Sequence, residues 1–187
     1  LALTSNFMNN SSRIDETLTR AKAANLLTIN IGLESGSERM RKLLKRPKYT
    51  NDEVIEFCRM AKTFEIDVVF FILLGLPDET IEDYMETVRI ARAAQPYRCY
   101  VSIFYPYLGT DLATHAIDMD LIRMDDLSPI GERTSPNLDL PGFSTRRIRF
   151  EYVVFWWRVY RGHWPLIKVL AAVAGAFLQA HPSVPSS

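Results

Sequence analysis

Cysteine and histidine are scarce in this sequence, which contains two cysteines and three histidines in 187 residues. Cys58 and Cys99 lie far apart, and His115, His163 and His181 stand at no zinc-ligand spacing. Metal sites need ligands clustered at short intervals, and a disulfide framework needs several pairs. We therefore predict no metal site within this chain. Both cysteines are predicted to be reduced core thiols, which favours a cytoplasmic location.

The sequence also lacks the glycine-rich patterns of common nucleotide-binding loops. Neither G-x-x-x-x-G-K-[ST] nor G-x-G-x-x-G occurs, and both patterns hold phosphate groups on backbone N–H groups. Their absence argues against ordinary ATP-dependent and NAD-dependent enzymes. A membrane-spanning helix is disfavoured too, because the apolar stretch 164–178 has only 15 residues and a span takes about 20.

The chain has no formal net charge, which argues against a strong general attraction to nucleic acid, and no specific nucleic-acid partner is evident. The charge is nevertheless unevenly distributed. Residues 1–145 carry 16 basic and 21 acidic side chains, whereas residues 146–187 carry six and one. An acidic body therefore precedes a basic, aromatic tail.

The composition is that of a globular domain, with 48% hydrophobic and 24% charged residues. Up to residue 112, stretches with strand and helix periodicity alternate. The predicted strands are residues 1–6, 27–33, 67–74 and 100–105, and the predicted helices are residues 12–24, 37–45, 50–64 and 80–95. The apolar run 67–74 also suits a short buried helix, but its length and the following Gly-Leu-Pro favour a strand.

Two serine or threonine positions predict helix starts by their spacing from a glutamate three residues later. Ser35 with Glu38 and Thr50 with Glu53 both match the capping box, in which each side chain accepts a hydrogen bond from the other residue's backbone. The first box predicts a helix that begins at residue 36 or 37. Glu34 would then lie between the end of a strand and the start of a helix.

Strands that alternate with helices of these lengths indicate parallel βαβ units. The periodicity fits both a doubly wound sheet and a partial (β/α) barrel. Residues 113–145, which contain several prolines, are predicted to form an irregular connection, and residues 146–187 a mainly helical tail in which Pro165 separates two halves.

The motif G-L-E-S-G-S at residues 32–37, followed by a basic helix ending in K-R, resembles the later strands of radical S-adenosylmethionine (radical SAM) enzymes. The motif F-F-I-L-L-G-L-P-D-E-T at residues 70–80 adds to this resemblance, which covers about residues 1–112. It implies an α/β fold with about strands three to six of a partial barrel, and so selects the barrel over the doubly wound sheet.

The resemblance also implies the cofactors S-adenosylmethionine and a four-iron four-sulfur cluster. The family's cysteine triplet C-x-x-x-C-x-x-C, which ligates the cluster, does not occur in these 187 residues. We therefore expect a fragment that is inactive by itself and whose partners are a small-molecule substrate and the missing N-terminal region of the same protein.

The resemblance assigns cofactor-binding roles to residues at the strand ends. Glu34, together with Ser35, would accept hydrogen bonds from the ammonium group or the ribose hydroxyls of the cofactor, which suits a carboxylate. The alternative is a purely structural role, in which the helix N-terminus holds the Glu34 carboxylate. Arg46 would hold the methionine carboxylate through its planar guanidinium. Several basic residues surround Arg46, so a solvated charge run is the alternative.

Three further positions follow from the resemblance. Leu73 would pack against adenine, Gly75 would let the backbone approach the adenosine, and Phe104 opens the sequence F-Y-P-Y-L-G-T, which resembles the ending of the family's sixth strand. Phe71 departs from the family pattern, since relatives often carry glycine or an acid there. An acidic ribose contact from this strand is therefore not expected, and core packing is the alternative for Leu73.

The tail is the part of the chain that the barrel resemblance does not cover. Its arginines and tryptophans resemble the cobalamin-binding branch of the family, which would add cobalamin as a cofactor. The same composition suits an interfacial helix pair on anionic lipid, at the inner face of the membrane. The alternative is that the tail packs on the barrel or on the missing N-terminal region.

The sequence thus predicts a fragment of a radical SAM enzyme that modifies an unknown substrate. The alternatives are a noncatalytic remnant or interaction module, and an ordinary α/β enzyme with another small ligand.

Overall fold

The computed structural model describes residues 11–45, 49–122 and 133–181. Its elements are helix α1 (Ser11–Ala23), strand β1 (Thr28–Glu34), helices α2 (Glu38–Leu43) and α3 (Asn51–Thr63), strand β2 (Asp67–Leu74), helix α4 (Ile81–Ala94), strand β3 (Arg98–Ile103) and helices α5 (Asp111–Asp118), α6 (Thr145–Tyr160) and α7 (Leu166–Ala180). The strand predicted at residues 1–6 lies outside the described residues.

The three strands form one parallel sheet in the order β1-β2-β3. β1 and β2 run in register from Thr28 opposite Asp67 to Gly32 opposite Phe71, after which the register shifts at Glu34. Helices connect the consecutive strands, as parallel pairing requires. The predicted α/β class and the three strands inside the described part of the chain are confirmed.

The described residues divide into two compact units, one within residues 1–72 and 83–100 and the other within residues 73–82 and 101–187. In the first unit, Leu18 of α1, Ile29 and Leu33 of β1, and Val54 and Phe57 of α3 are all buried. These residues lie at helical or strand spacing, so each element buries one apolar face. The domain boundaries expected at residues 112 and 145 stay predictions.

The two predicted capping boxes have different outcomes. Thr50 and Glu53 form theirs, since the Thr50 hydroxyl accepts from Glu53 N and the Glu53 side chain accepts from Thr50 N. The box predicted at Ser35 is wrong, because the N-cap of α2 is Ser37, whose hydroxyl accepts from Met40 N. The α2 helix therefore begins at Glu38.

Helix α5 was not predicted, because its eight residues offer little periodicity to read. Thr110 caps it by accepting a hydrogen bond from Ala113 N, and Ala113 and Ala116 are its buried residues. Small alanines give a weaker apolar stripe than the larger side chains of α3 and α4.

The tail is helical, as predicted, with Pro165 between α6 and α7. Tyr160 and Trp164 stack at 3.8 Å across the turn, and the Tyr152 hydroxyl donates to Gln179 Oε1 of α7 at 2.9 Å. No helix in the described part of the chain combines the length and the apolar character that crossing a membrane requires.

A buried carboxylate ties α6 together. Glu151 is 0% exposed and lies 2.8 Å from Arg147 Nη2 and 2.6 Å from Arg158 Nε. Arg158 also donates from Nη2 to Glu151 Oε1, which makes its contact bidentate. A buried charge is tolerated only with such partners, since its desolvation is costly.

We expect Arg158→Met to lower the free energy of unfolding by roughly 3 kcal/mol, because it takes the bidentate partner from a buried carboxylate. Arg161→Met is the matched control. Arg161 lies over the Trp157 ring at the exposed end of the same helix, and its loss should cost about 0.5 kcal/mol or less. Urea unfolding followed by circular dichroism measures both; equal losses would contradict the role given to Glu151.

Candidate functional site

The carboxyl end of β1 carries a residue in an unusual backbone conformation. Glu34 has a φ of 59°, in the left-handed region that non-glycine residues seldom adopt. Asn25, Lys45, Glu65, Gln95 and Asp120 share this conformation but lie one or two residues after helices, where it is a common way to end them, and Asp78 and Arg133 adopt it in turns. Glu34 instead is the last residue of a strand, and backbone strain at such a place often accompanies a functional role.

The Glu34 carboxylate lies back over the strand. Its Oε1 atom is 3.0 Å from where a side chain on Gly32 would begin, so a larger residue at position 32 would displace it. The Glu34 side chain is only partly exposed. The glycine of G-L-E-S-G-S therefore makes room for the carboxylate that the sequence singled out.

The following Ser-Gly-Ser segment is clamped onto α4. The Thr87 hydroxyl accepts from Gly36 N at 2.7 Å and lies 3.3 Å from the Ser35 hydroxyl. The Ser37 hydroxyl donates to Asp83 Oδ1 at 2.6 Å. Ser35, Ser37, Asp83 and Thr87 are all buried, so these hydrogen bonds satisfy polar groups that water does not reach.

Gly36 allows this clamp because it has no side chain. A Cβ atom on Gly36 would lie 2.5 Å from Thr87 Cα and 2.9 Å from Glu86 O, both of them backbone atoms. Backbone cannot move aside as a flexible side chain can. The loop and α4 therefore approach each other as closely as a glycine permits.

Arg41 is a buried residue that the sequence interpretation missed, because it belongs to a basic stretch in which only Arg46 was singled out. It is 2% exposed, and it donates to Ser35 O at 2.9 Å, Tyr49 O at 3.2 Å and Asn51 Oδ1 at 2.9 Å. Burial lowers the pKa of Arg41 from its ordinary value. Arg41, six residues after Ser35 in the sequence, thus fixes the backbone next to Glu34.

An aromatic pair lies on the same sheet as Glu34. Phe71 is the register partner of Gly32 and stacks with Tyr100 at 5.4 Å, and both rings are exposed by more than 40%. Register partners in a sheet point to the same face. The ring of Phe71 therefore offers a flat apolar surface beside the strand that carries Glu34.

In the second unit, the turn after β2 is held by a buried glutamate. Glu79 Oε2 accepts from Gly75 N at 2.6 Å and from Leu76 N at 3.3 Å. Gly75 has a φ of +76°, which favours glycine, and Ile148 Cδ1 of α6 lies 3.3 Å from where its Cβ would be. The side of Gly75 is thus covered by the tail helix.

The other two predicted residues of the second unit are apolar and lie at strand ends. Leu73 is half-buried in β2, and Phe104 is buried directly after β3, where its N–H donates to Leu74 O at 2.8 Å. A further pair that the sequence did not indicate is His115 with Asp78, whose Nε2 and Oδ2 atoms are 2.7 Å apart. The two residues are 37 positions apart in the sequence, so no motif spacing indicated the pair.

The predicted residues therefore fall into separate groups. Glu34 and Ser35 are neighbours in the first unit, and Leu73, Gly75 and Phe104 belong to the second. Arg46 lies outside the described residues. The cofactor roles of all six stay predictions.

The described residues contain no group of three or more metal-ligating side chains of the kinds His, Cys, Asp and Glu. Cys58 and Cys99 are both buried in the first unit. Burial raises the pKa of Cys58 far above its ordinary value, and the nearby Cys99 adds to the rise. Two buried thiols cannot supply the three clustered thiolates that the family's cluster takes.

Comparison with known proteins identifies a family model and several proteins that are similar to this chain. The family model described as the radical SAM superfamily matches residues 3–91. A tRNA-2-methylthio-N(6)-dimethylallyladenosine synthase of Thermotoga petrophila is 33% identical over 93 residues, which is 49% of this chain and 21% of that protein. The corresponding synthase of Geobacillus thermodenitrificans is 35% identical over 96 residues, covering 50% and 18%.

An uncharacterized methyltransferase of Pyrococcus horikoshii is also similar, at 30% identity over 95 residues, which is 51% of this chain and 20% of that protein. The chain thus spans about a fifth of the length of the curated relatives that it matches.

We expect Gly36→Ala to lower the free energy of unfolding by roughly 3 kcal/mol or more, because the added methyl overlaps the backbone of α4. Gly175→Ala is the control, since no atom lies within 4 Å of its added Cβ. In the middle of α7 it should stabilise by about 0.5–1 kcal/mol. Thermal unfolding measures the stability of both variants. A Gly36→Ala protein as stable as the Gly175→Ala protein would contradict the close contact between the loop and α4.

We expect Cys58 to stay unreactive toward a thiol reagent at pH 7–8. Its raised pKa means that the thiolate is scarcer in the folded protein than in the unfolded chain, and only the thiolate reacts. Labelling by a disulfide reagent should follow the rate of unfolding and become fast in urea. Fast labelling of Cys58 in the folded Cys99→Ala variant would contradict its burial.

Proposed function

This chain belongs to the radical SAM superfamily through residues 3–91, and on that premise we propose that it supplies part of the S-adenosylmethionine site of a radical SAM enzyme. The whole enzyme carries out a radical-based modification of its substrate. The observation that carries the proposal is the carboxylate residue Glu34, which has a left-handed backbone at a strand end and stands directly before the loop clamped onto α4.

The chemistry of Glu34 fits this cofactor. A carboxylate accepts hydrogen bonds from an ammonium group or from ribose hydroxyls, and S-adenosylmethionine carries both. Binding to a preorganised acceptor loses less conformational entropy than binding to a mobile side chain, because the acceptor is already ordered in the folded protein. Ser35 also fixes the loop, since its hydroxyl contacts the Thr87 hydroxyl and accepts from Ser37 N, and its cofactor role stays a prediction.

The remaining predicted residues have compatible chemistry. Half-buried Leu73 offers apolar surface for adenine, and Arg46 offers a planar guanidinium for the methionine carboxylate. The Phe104 ring is buried, so contact with adenine would require it to become exposed. Gly75 keeps the turn after β2 in the conformation that Glu79 holds. The protein's share of such chemistry is to bind and orient the cofactor, and the role of each of these residues in it stays a prediction.

The residues of this chain do not fit the four-iron four-sulfur cluster that the superfamily uses. The chain has two cysteines, both buried, and we propose that the cluster ligands lie in another part of the whole protein. Cobalamin and a cytoplasmic location stay predictions from the tail and the cysteine content.

The names of the relatives suggest a substrate class. Two of them act in the methylthio modification of an adenosine derivative of tRNA, and we propose a nucleoside-containing substrate as the first to test. The exposed Phe71 and Tyr100 rings support this choice, because a base stacks favourably on an aromatic side chain.

The experiment is anaerobic iron–sulfur reconstitution followed by an assay for 5′-deoxyadenosine. We expect the full-length protein that carries this chain to form the product and the isolated 187 residues to form neither cluster nor product. A stoichiometric cluster with product from the isolated chain would overturn the missing-ligand argument. A full-length protein that holds a cluster without cleaving S-adenosylmethionine would favour a noncatalytic module.

In the same full-length protein, we expect Glu34→Gln to weaken S-adenosylmethionine binding by about 1.5–3 kcal/mol, the usual worth of a hydrogen bond to a charged group. Its melting temperature should change little, because the clamp is untouched. Glu56→Gln, at a partly exposed position of α3, is the control and should leave affinity unchanged. Calorimetric titration with S-adenosylmethionine measures both. Unchanged affinity with a lowered melting temperature would show Glu34 to be structural.

A further inference from the structure

The outer face of α7 is apolar and exposed. Five large side chains on this helix are between 47% and 76% exposed: Leu166, Ile167, Leu170, Phe177 and Leu178. At 3.6 residues per turn they fall within about a third of the helix circumference. We call these five residues the apolar stripe. Exposed hydrophobic residues gathered on one face indicate a binding surface, whereas scattered ones do not.

A cavity of about 510 Å³ opens beside one end of this stripe, between the start of α6 and the end of α7. Its lining consists of Thr145, Arg146, Arg149, Phe150, Val153, Phe177 and His181. Phe177 belongs to both the stripe and the cavity, so the two features form one continuous surface. Two arginines at an apolar cavity suit a ligand that joins an anionic group to a hydrocarbon body.

The two arginines are available for such a ligand. Glu151, the one acidic residue after position 145, is already paired with Arg147 and Arg158. The Arg149 Nε atom is buried and has no hydrogen-bond partner among the residues that the structure describes. A buried guanidinium nitrogen without a partner is costly, and a phosphate oxygen would satisfy it.

We propose that the α6–α7 pair binds the surface of an anionic phospholipid membrane. The cavity takes the lipid phosphate through Arg146 and Arg149, and the apolar stripe lies among the first carbons of the acyl chains. The helix lies in the plane of the interface, because its 15 residues are about 22 Å long and a bilayer core is about 30 Å thick. Basic residues beside an apolar helical face are typical of such interfacial helices.

A free anion explains only part of this surface. A soluble phosphate compound would use the two arginines and leave the stripe exposed to water. The apolar stripe continues for three helical turns away from the cavity. Contact with the acyl chains of a membrane accounts for it. Membrane binding does not depend on the radical chemistry. The flotation result and the 5′-deoxyadenosine result can therefore succeed or fail independently of each other.

The test is flotation of the 187-residue chain with vesicles. Phosphatidylcholine vesicles with 30% phosphatidylglycerol should carry the chain to the top of the gradient, and pure phosphatidylcholine vesicles should carry much less. Raising the salt concentration should weaken binding, because the lipid charges are screened within a Debye length.

Variants separate the two parts of the surface. Arg146→Gln and Arg149→Gln should each lower the partition coefficient about fivefold, the effect of one basic residue near an anionic surface. Ile167→Ser with Leu178→Ser should abolish flotation. Both are more than two thirds exposed, so the fold should survive. Leu27→Ser is the matched control for an exposed leucine outside the stripe, and Arg20→Gln for an exposed arginine; both should float like the parent.

A glycerol phosphate competitor distinguishes a lipid surface from a soluble anion. At millimolar concentration it should compete weakly, since it lacks the acyl chains. Complete release by glycerol phosphate, or flotation that persists in the folded Ile167→Ser, Leu178→Ser variant, would overturn the proposal. So would equal flotation with pure phosphatidylcholine, or no flotation at all.

Discussion

The close approach of Gly36 to the backbone of α4 is the constraint on which the first unit depends. With no side chain at this position, the loop after β1 comes within hydrogen-bond distance of Thr87 and Asp83. The same contacts hold the start of α2, and Glu34 with its left-handed backbone directly precedes them. The loop that follows this carboxylate is thus fixed by groups far away in sequence.

Periodicity and capping spacing predicted much of this fold. The periodic patterns located β1, α3 and α4 closely, because each buries one apolar face, and a continuous apolar run located β2. The Thr50 box marked the start of α3 correctly. The Ser35 box was wrong because two serines stand near one helix start, and only the tertiary contact with Thr87 decides their roles. Arg41 was missed for the same reason, since a sequence does not show which member of a basic run is buried.

The two helices of the tail differ in how far they bury their apolar side chains. Helix α6 contributes to the core of the second unit, where Ile148 lies against Gly75 and Glu151 is buried between two arginines. Helix α7 keeps most of its large apolar side chains exposed. One helix therefore completes a strand end near predicted cofactor residues, and the other offers a surface. Composition alone could not assign these roles, because both helices are apolar and aromatic.

We propose that the clamp on α4 positions Glu34 for its ligand, so changes at Thr87 should alter ligand binding. Binding of S-adenosylhomocysteine, a stable analogue of the cofactor, would be measured by calorimetry in the full-length protein with Thr87→Val and Thr87→Ser. The valine variant removes the hydroxyl that accepts from Gly36 N, and the serine variant keeps it. We expect about tenfold weaker binding for Thr87→Val, the effect of losing about 1.4 kcal/mol, and near-normal binding for Thr87→Ser. Parent-like affinity in a folded Thr87→Val protein would contradict it.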